Sequence, residues 1–390
     1  MLSIDAARAL VLAAVRPLPV TPVPIADALD RVLAADVVAA GDVPPFANSA
    51  MDGFAVPPGP AGRRLTIVGE SRAGTPAGIG LGPEQAIRIS TGAMLPAGAE
   101  AVVMVESTRE HPDGTVDVEA DVAPGQNVRP AGDDLRAGEL VLPAGRRLGP
   151  AELGAAVNAG AATVPCGARP RVAVISTGDE LREAGVPLGP GQLHDSNGVA
   201  VAALARRAGA ADVRRARVRD SAQATREAIG RALDDADVVV LTGGVSVGPH
   251  DHVKPALDAE GVQEVFWRVA LRPGKPTWFG TRGDVLVFGL PGNPVSAMVT
   301  FLLFARPALL ALQGADPQAR RRTARLTQAM PRTEGRDELV RVVLDGPGAT
   351  PTGPQGSHQL TSMLGADGLA IVPAGSGELP AGSEVVVELL

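Results

Sequence analysis

The chain has no tyrosine, only two tryptophans and seven phenylalanines in 390 residues, so aromatic packing cannot dominate any core it builds. Alanine, valine and leucine must supply the buried surface, and the length suggests roughly two to four domains. A single cysteine, Cys166, excludes an internal disulfide and any multi-cysteine metal site, and it reads as a small buried hydrophobe. No block of lysine and arginine occurs and the net charge is −7, which argues against nonspecific nucleic-acid or anionic-membrane binding but allows a local basic pocket. No uninterrupted apolar run approaches the ~18 residues of a membrane span, and the basic-then-apolar pattern of an export signal is missing. These absences lead to the expectation of a cytoplasmic protein with a small ligand, folded throughout, its glycines and prolines scattered as turn punctuation.

What is present is organised around residues 237–254, DVVVLTGGVSVGPHDHVK. The β-branched run from Val238 to Leu241 predicts a buried strand that breaks into Thr242, Gly243 and Gly244, where exposed amides and a following helix start suit an anion. Asp251, set between His250 and His252, places a carboxylate beside that anion site and so suggests a divalent cation between the two. A glycine turn between strand and helix explains this segment alone equally well. Two further segments repeat its plan. Residues 171–181, RVAVISTGDEL, run from a buried strand into Thr177 and Gly178, with Asp179 and Glu180 at a predicted helix start. Residues 285–297, VLVFGLPGNPVSA, run into Pro291, Gly292, Asn293 and Pro294, with Ser296 in the next helix. Between the first and second, Asp195, Ser196 and Asn197 form an N-cap cluster opening a helix to Ala208, followed by a strand at 211–218 and a helix at 221–232. This alternation predicts a doubly wound, mostly parallel sheet with all three loops on its carboxyl edge, where open α/β sheets bind ligands. Arg272 and Lys275 flank a Pro-Gly turn just before the third strand, a spacing suited to a small oxyanion or to an ordinary solvated turn.

The flanking sequence is β-rich. A helix is predicted at 3–15, then a proline-stiffened connector, then a second short helix and a strand over 25–40. A polar loop carries Asn48, Ser49 and Asp52. The strands RLTIVG, AIRIST, EAVVMVE, TVDVEA and ELVLPAG predict an all-β insert containing Thr91 and the pair Asp133 and Asp134. A short helix follows at 150–160, and a longer one at 295–313 leads to C-terminal strands at 324–329, 338–344, 368–372 and 384–389. Arg336 precedes the second of these, and a hydroxyl-rich loop after it carries Thr361 and Ser362. Each of these polar groups alone is explained as well by a surface turn. The expected units are 1–22 (helix and connector), 23–45 with 142–168 (linking and dimerisation), 46–141 (β insert), 169–313 (central α/β) and 320–390 (C-terminal β-barrel-like), giving a multidomain, elongated molecule.

The motifs PPFANSAMDGFAV, ISTGAMLPAGAEAVV, GQNVRPAGDDL, VAVISTGDEL, HDSNG, LTGGVSVGPHDHVK, LRPGKPTWFG, LPGNPVSA and GSHQLTSML occur in this order across nearly the whole chain. Together they closely resemble the molybdopterin molybdenumtransferase family, MoeA in bacteria and the gephyrin or Cnx E-domain in eukaryotes. The resemblance implies insertion of molybdate into adenylyl-molybdopterin with Mg2+-dependent release of AMP. It implies Asp251 as the metal ligand, with Glu180 as a second acidic group. The three loops, from Thr177 and Gly178 through Asp195, Ser196 and Asn197 to Thr242, Gly243, Gly244 and Ser246 and to Pro291, Gly292, Asn293 and Pro294, would hold substrate. Molybdate would sit with Arg272, Lys275, Ser296, Arg336 and Thr361 or Ser362. Family members are homodimers in which the β insert approaches the partner's central unit, so Asp52, Thr91 and Asp134, matching positions implicated in activity, would complete the partner's site. The resemblance also implies exchange with an upstream adenylyltransferase and molybdoenzyme chaperones, and neither nucleic acid nor membrane as partner. The sequence departs from the family where Arg272 replaces a frequent lysine, where histidines flank Asp251, and where Met363 stands in place of a common arginine. A non-catalytic dimeric molybdopterin-binding scaffold is the competing reading, and an adenylyltransferase the third.

Overall fold

The structure, a computed structural model, describes residues 1–244 and 252–390. Helix α1 (Ile4–Ala14) is capped by the Ser3 hydroxyl, and its apolar stripe of Ile4, Ala7 and Val11 packs into the core of the central unit. Val20–Pro24 then pairs antiparallel with Thr163–Gly167, closing a small core around Leu33, Leu148, Val164 and Cys166. The second helix expected over 25–40 is reduced to a single 3-10 turn, Ile25–Asp27. Asp30 takes a left-handed φ of 62°, and Val32 and Leu33 form bridges to Arg147 and Cys166, so pairing outweighs the helical spacing.

The insert folds as a six-stranded mixed sheet, in the spatial order Ala101–Met104, Gly53–Val56, Gln85–Ile89, Arg63–Ser71, Thr115–Val118, Thr108–Glu110. The expected last strand of this insert, ELVLPAG, belongs elsewhere: Leu140–Leu142 pairs with Val37–Val38, next to α2 (Pro150–Asn158).

The central unit is a six-stranded sheet with four parallel strands, Asp212–Val218, Arg171–Thr177, Val238–Thr242 and Val285–Leu290, extended by antiparallel Trp278–Arg282 and Gln263–Trp267. Successive strand residues face opposite sides. Val172, Val174, Val240 and Phe288 pack on one face with α3 (Ser196–Arg207). Ile175, Val239, Leu241 and Val287 pack on the other with α4 (Ala222–Asp235) and α5 (Val253–Ala259). Helices on both faces make the sheet doubly wound, as expected. The arginine-rich edge strand Asp212–Val218 blunts that edge with charge.

The chain then runs through α6 (Pro294–Thr300), a π turn (Phe301–Ala305) and α7 (Arg306–Leu312) as one continuous helical rod. Pro307 lacks an amide hydrogen, which accounts for the slipped ladder just before it. This rod is long and apolar enough to cross a membrane, but 78% of it is buried in the protein, as befits a core helix. Beyond it, Arg321–Leu326, Asp337–Asp345, Gly348–Pro351, Gly368–Val372 and Glu384–Leu389 close into a five-stranded barrel, the pairing of Asp337–Asp345 with Gly368–Val372 completing the ring.

Two of the features that bind this barrel to the rest are specific pairings. Leu271–Arg272 pairs in parallel with Asp337–Glu338, carrying the predicted basic turn onto the barrel rim. On the other side, Arg8 of α1 donates to both carboxylate oxygens of buried Glu388 at 3.0 Å, and Arg321 donates to one of them at 2.7 Å.

Candidate functional site

The parallel strands end in a crown of loops. Thr242 donates its hydroxyl to Ser176 (3.2 Å), and Ser176 donates to buried Asp195 (3.0 Å), which also accepts the Gly198 amide at 2.8 Å as the N-cap of α3. Thr242 and Asp195 thus form a polar chain beneath the crown. Gly243 and Gly244 adopt φ of 86° and 63°, where a Cβ would press against Thr177, so this turn requires glycine. Among the described residues, the amides of Gly243 and Gly178 donate to the carbonyls of Leu290 and Val218, so these two are not open to an anion. Side chains add to what the crown offers. Asn197 donates to the Gly292 carbonyl at 2.7 Å, tying α3 to the third loop, and its Oδ1 is buried without a partner among the described residues. Ser196 is exposed at the start of α3. Asp179 and Glu180 do not open a helix: Gly185, Pro187 and Pro190 follow, and the chain makes a short excursion in which Leu181–Arg182 pairs with Leu193–His194. Asp179 and Asp220 each accept the other's backbone amide at 3.3 Å, and the Glu180 carboxylate folds back over Gly178. The expected roles of Ser246 and Asp251 lie outside the described residues.

Beside the crown, a pocket of about 450 Å³ opens between the central unit and the barrel. Pro291, Asn293 and Ser296 line one wall, Arg272 and Lys275 a second, and Arg336, Ser357 and His358 the third. The Pro-Gly-Asn-Pro loop therefore serves crown and pocket together. Asn293 donates to the Ser357 hydroxyl at 2.8 Å, and the Val295 amide to the Ser357 carbonyl at 3.1 Å, fixing the barrel loop against α6. Among the described residues the only carboxylate lining this pocket, Glu338, is engaged by Arg272 at 2.9 Å and by the Thr333 hydroxyl. Lys275 and Arg336 are left without a carboxylate among the described residues, so the pocket favours an anion. Thr361 and Ser362 do not line it: Thr361 is exposed, and Ser362 is buried and turned away.

What Ser362 holds is Arg341, which sequence reasoning passed over. This side chain is 1% exposed and donates through Nε to the Ser362 hydroxyl at 3.1 Å and through its other nitrogens to the carbonyls of Leu339 and Gly356. Burial pulls its pKa down to about 10, opposed by the nearby Glu338 charge, so at neutral pH it is a fixed cation behind the Gly356–His358 turn. No carboxylate among the described residues bonds to it. Arg341→Met is therefore expected to leave the melting temperature unchanged or raised, since a buried cation without an ion partner is costly. The same change should weaken binding of a tetrahedral oxyanion to the adjoining pocket about tenfold in calorimetric titration, as loop and charge are lost together. A lowered melt with intact binding would make Arg341 a strut only.

Comparison with known proteins agrees with this geometry. Residues 2–160 match the MoeA N-terminal region (domain I and II), 173–311 a probable molybdopterin binding domain, and 323–390 the MoeA C-terminal region (domain IV). The chain belongs to the MoeA family. Molybdopterin molybdenumtransferase 2 of Mycobacterium tuberculosis is 39% identical over 391 residues, covering 95% of this chain and 94% of that one. The molybdopterin molybdenumtransferase of Haemophilus influenzae is 35% identical, covering 93% of this chain and 92% of that one. The crystal structure of a molybdopterin biosynthesis MoeA protein from Pyrococcus horikoshii superposes with a TM-score of 0.84 at 32% identity, covering 100% of this chain and 99% of that one.

Within this MoeA-family chain the expected site residues divide into groups. The crown and pocket hold the described residues from the central unit together with Arg336. Asp52 and Thr91 meet in the insert, where Asp52 accepts the Thr91 amide at 2.8 Å. Asp134 sits nearer the linking unit, its amide on the Val43 carbonyl. None of these three lines the pocket of its own chain.

Proposed function

We propose that this MoeA-family transferase inserts molybdate into adenylyl-molybdopterin and releases AMP. The observation that carries the reading is the cationic pocket that shares the Pro291–Asn293 loop with the crown, since a metal oxyanion must reach the dithiolene of a substrate held next door. Lys275, Arg336 and Arg272 would bind and orient the tetrahedral molybdate dianion, with Ser296 and Ser357 as hydroxyl partners. Asn197 Oδ1, buried and unpartnered, would accept from a pterin amine or amide, fixing the ring at the head of α3. Glu180 and the Asp179–Asp220 pair supply hard oxygen donors at the crown, chemistry that fits Mg2+, which takes one or two carboxylates along with substrate phosphates. Asp251 is the ligand expected from the sequence. Bound there, Mg2+ would neutralise charge on the pyrophosphate. Asp52, Thr91 and Asp134 lie off this chain's own pocket, which supports a homodimer in which they face the partner's site. A cytoplasmic location accords with such a small-molecule reaction.

The deciding experiment is AMP release from adenylyl-molybdopterin by the purified protein with Mg2+, with and without molybdate. Molybdate-dependent release is expected, and Asp251→Asn should abolish it while folding and dimerisation persist. Binding without release would make the chain a carrier or scaffold. Full turnover by the Asn variant would remove Asp251 from the reaction.

A further inference from the structure

A second, larger cavity of about 690 Å³ lies where the linking unit, the central unit and the barrel meet. One wall is the row Met298, Leu302, Arg306 and Leu310 along the helical rod. Ser296, which faces the molybdate pocket, precedes Met298 by two residues and so points roughly 200° away around the helix. The two cavities therefore flank opposite faces of one rod. Leu204 from α3 and Met363 from the barrel complete an apolar floor.

The rim is basic, with Arg147, Arg207, Arg306 and Arg320 all contributing. Arg147 is committed to Asp30 at 3.2 Å. The Arg207 and Arg320 side chains have no hydrogen bond or ion pair among the described residues. Arg306 is half-buried, and its Nε is enclosed without a partner among the described residues. Glu388 is close enough to act on Arg306 electrostatically, yet its carboxylate is bonded by Arg8 and Arg321 instead. The two aspartates on the wall are also engaged: Asp316 accepts the Gln318 amide and Asp367 the Leu344 amide. An enclosed guanidinium nitrogen without an acceptor, above an apolar floor, is the complement of an oxyanion carried on a hydrocarbon body.

We propose that this cavity is a second ligand site, which takes a small amphipathic anion with its oxyanion head among Arg207, Arg306 and Arg320 and its apolar body on Leu204, Met298, Leu302 and Met363. The site is separate from the molybdate pocket and does not depend on the transferase reading. A ligand there would touch three units at once and so brace their junction.

Calorimetric titration of the full chain tests this with decanoate and decyl phosphate as probes, and with inorganic phosphate and decanol as head-only and body-only controls. One of the amphiphiles should bind at one per chain, at least about tenfold tighter than either control, and the tighter of the two identifies the head group. Arg306→Gln should weaken it about tenfold. Arg320→Gln, a change on the exposed connector that leaves the core untouched, should weaken it several-fold, and neither should alter molybdate affinity. Absence of stoichiometric binding by both amphiphiles would overturn the proposal, as would binding that survives both substitutions.

Discussion

Replacing Arg272 and Lys275 together by alanine is expected to raise the half-saturating molybdate concentration by about 10²- to 10⁴-fold, with the melting temperature nearly unchanged. Each hydrogen bond to a charged group contributes about 1.5–3 kcal/mol, so losing two costs about 3–6 kcal/mol of oxyanion binding. The singles should differ in kind. Lys275 has no competing carboxylate among the described residues, so Lys275→Ala removes attraction alone. Arg272 is already bonded to Glu338 at 2.9 Å, and Arg272→Ala removes a cation while releasing a carboxylate into the pocket. Adding Glu338→Gln should therefore restore part of the loss in the Arg272 variant and none in the Lys275 variant. Arg272→Lys retains the charge but not the planar guanidinium whose Nη1 donates to both Glu338 and Thr333, and should fall between. Molybdate titration of AMP release reads all of these. An unchanged half-saturation in the double variant would place molybdate elsewhere.

The central sheet was legible because its strands are short β-branched runs ending in glycine, and a parallel strand buried on both faces leaves no other reading of Val238–Thr242. The crown's location followed from topology. Its chemistry did not, because the destination of a backbone amide is set by neighbouring strands: the Gly243 amide goes to Leu290, which lies far away in sequence. Asp179 and Glu180 looked like a helix start because acidic residues favour that position, but the proline- and glycine-rich residues 185–191 let no helix follow. In the barrel, the hydroxyl-rich loop was recognised but its register was not. The resemblance points to Thr361 or Ser362 for the oxyanion, whereas the turn presents Ser357 and His358 to the pocket. One signal was available. Arg341 stands inside the apolar run Leu339, Val340, Val342, Val343, and a charge in a buried strand demands a polar destination, which here is the back of that turn.

The stability of the junction should rest on Glu388. Glu388→Ala is expected to cost about 3–5 kcal/mol, the range for removing one partner of a buried ion pair, because the arginines it serves cannot readily leave. Arg8 is anchored by its Nε on the Leu303 carbonyl at 3.2 Å, and Arg306 is fixed in the rod, so three guanidinium groups with Arg321 would share a region in which Asp5 is the ion partner left to Arg8 and Arg321 among the described residues. Asp5 is 80% exposed, so water screens most of what it could offer. The separate cores around the linking unit, central sheet, insert and barrel make a single unfolding free energy a poor readout. Amide exchange along Ile4–Ala14 is the sharper one, since this helix meets the barrel through Arg8 and should open first. Glu388→Gln, which keeps an acceptor, should lose about half as much protection, and Asp5→Ala should lose little. Equal protection of that helix in all three variants would mean that the apolar stripe of Ile4, Ala7 and Val11 alone holds it, with Glu388 contributing no more than a surface pair.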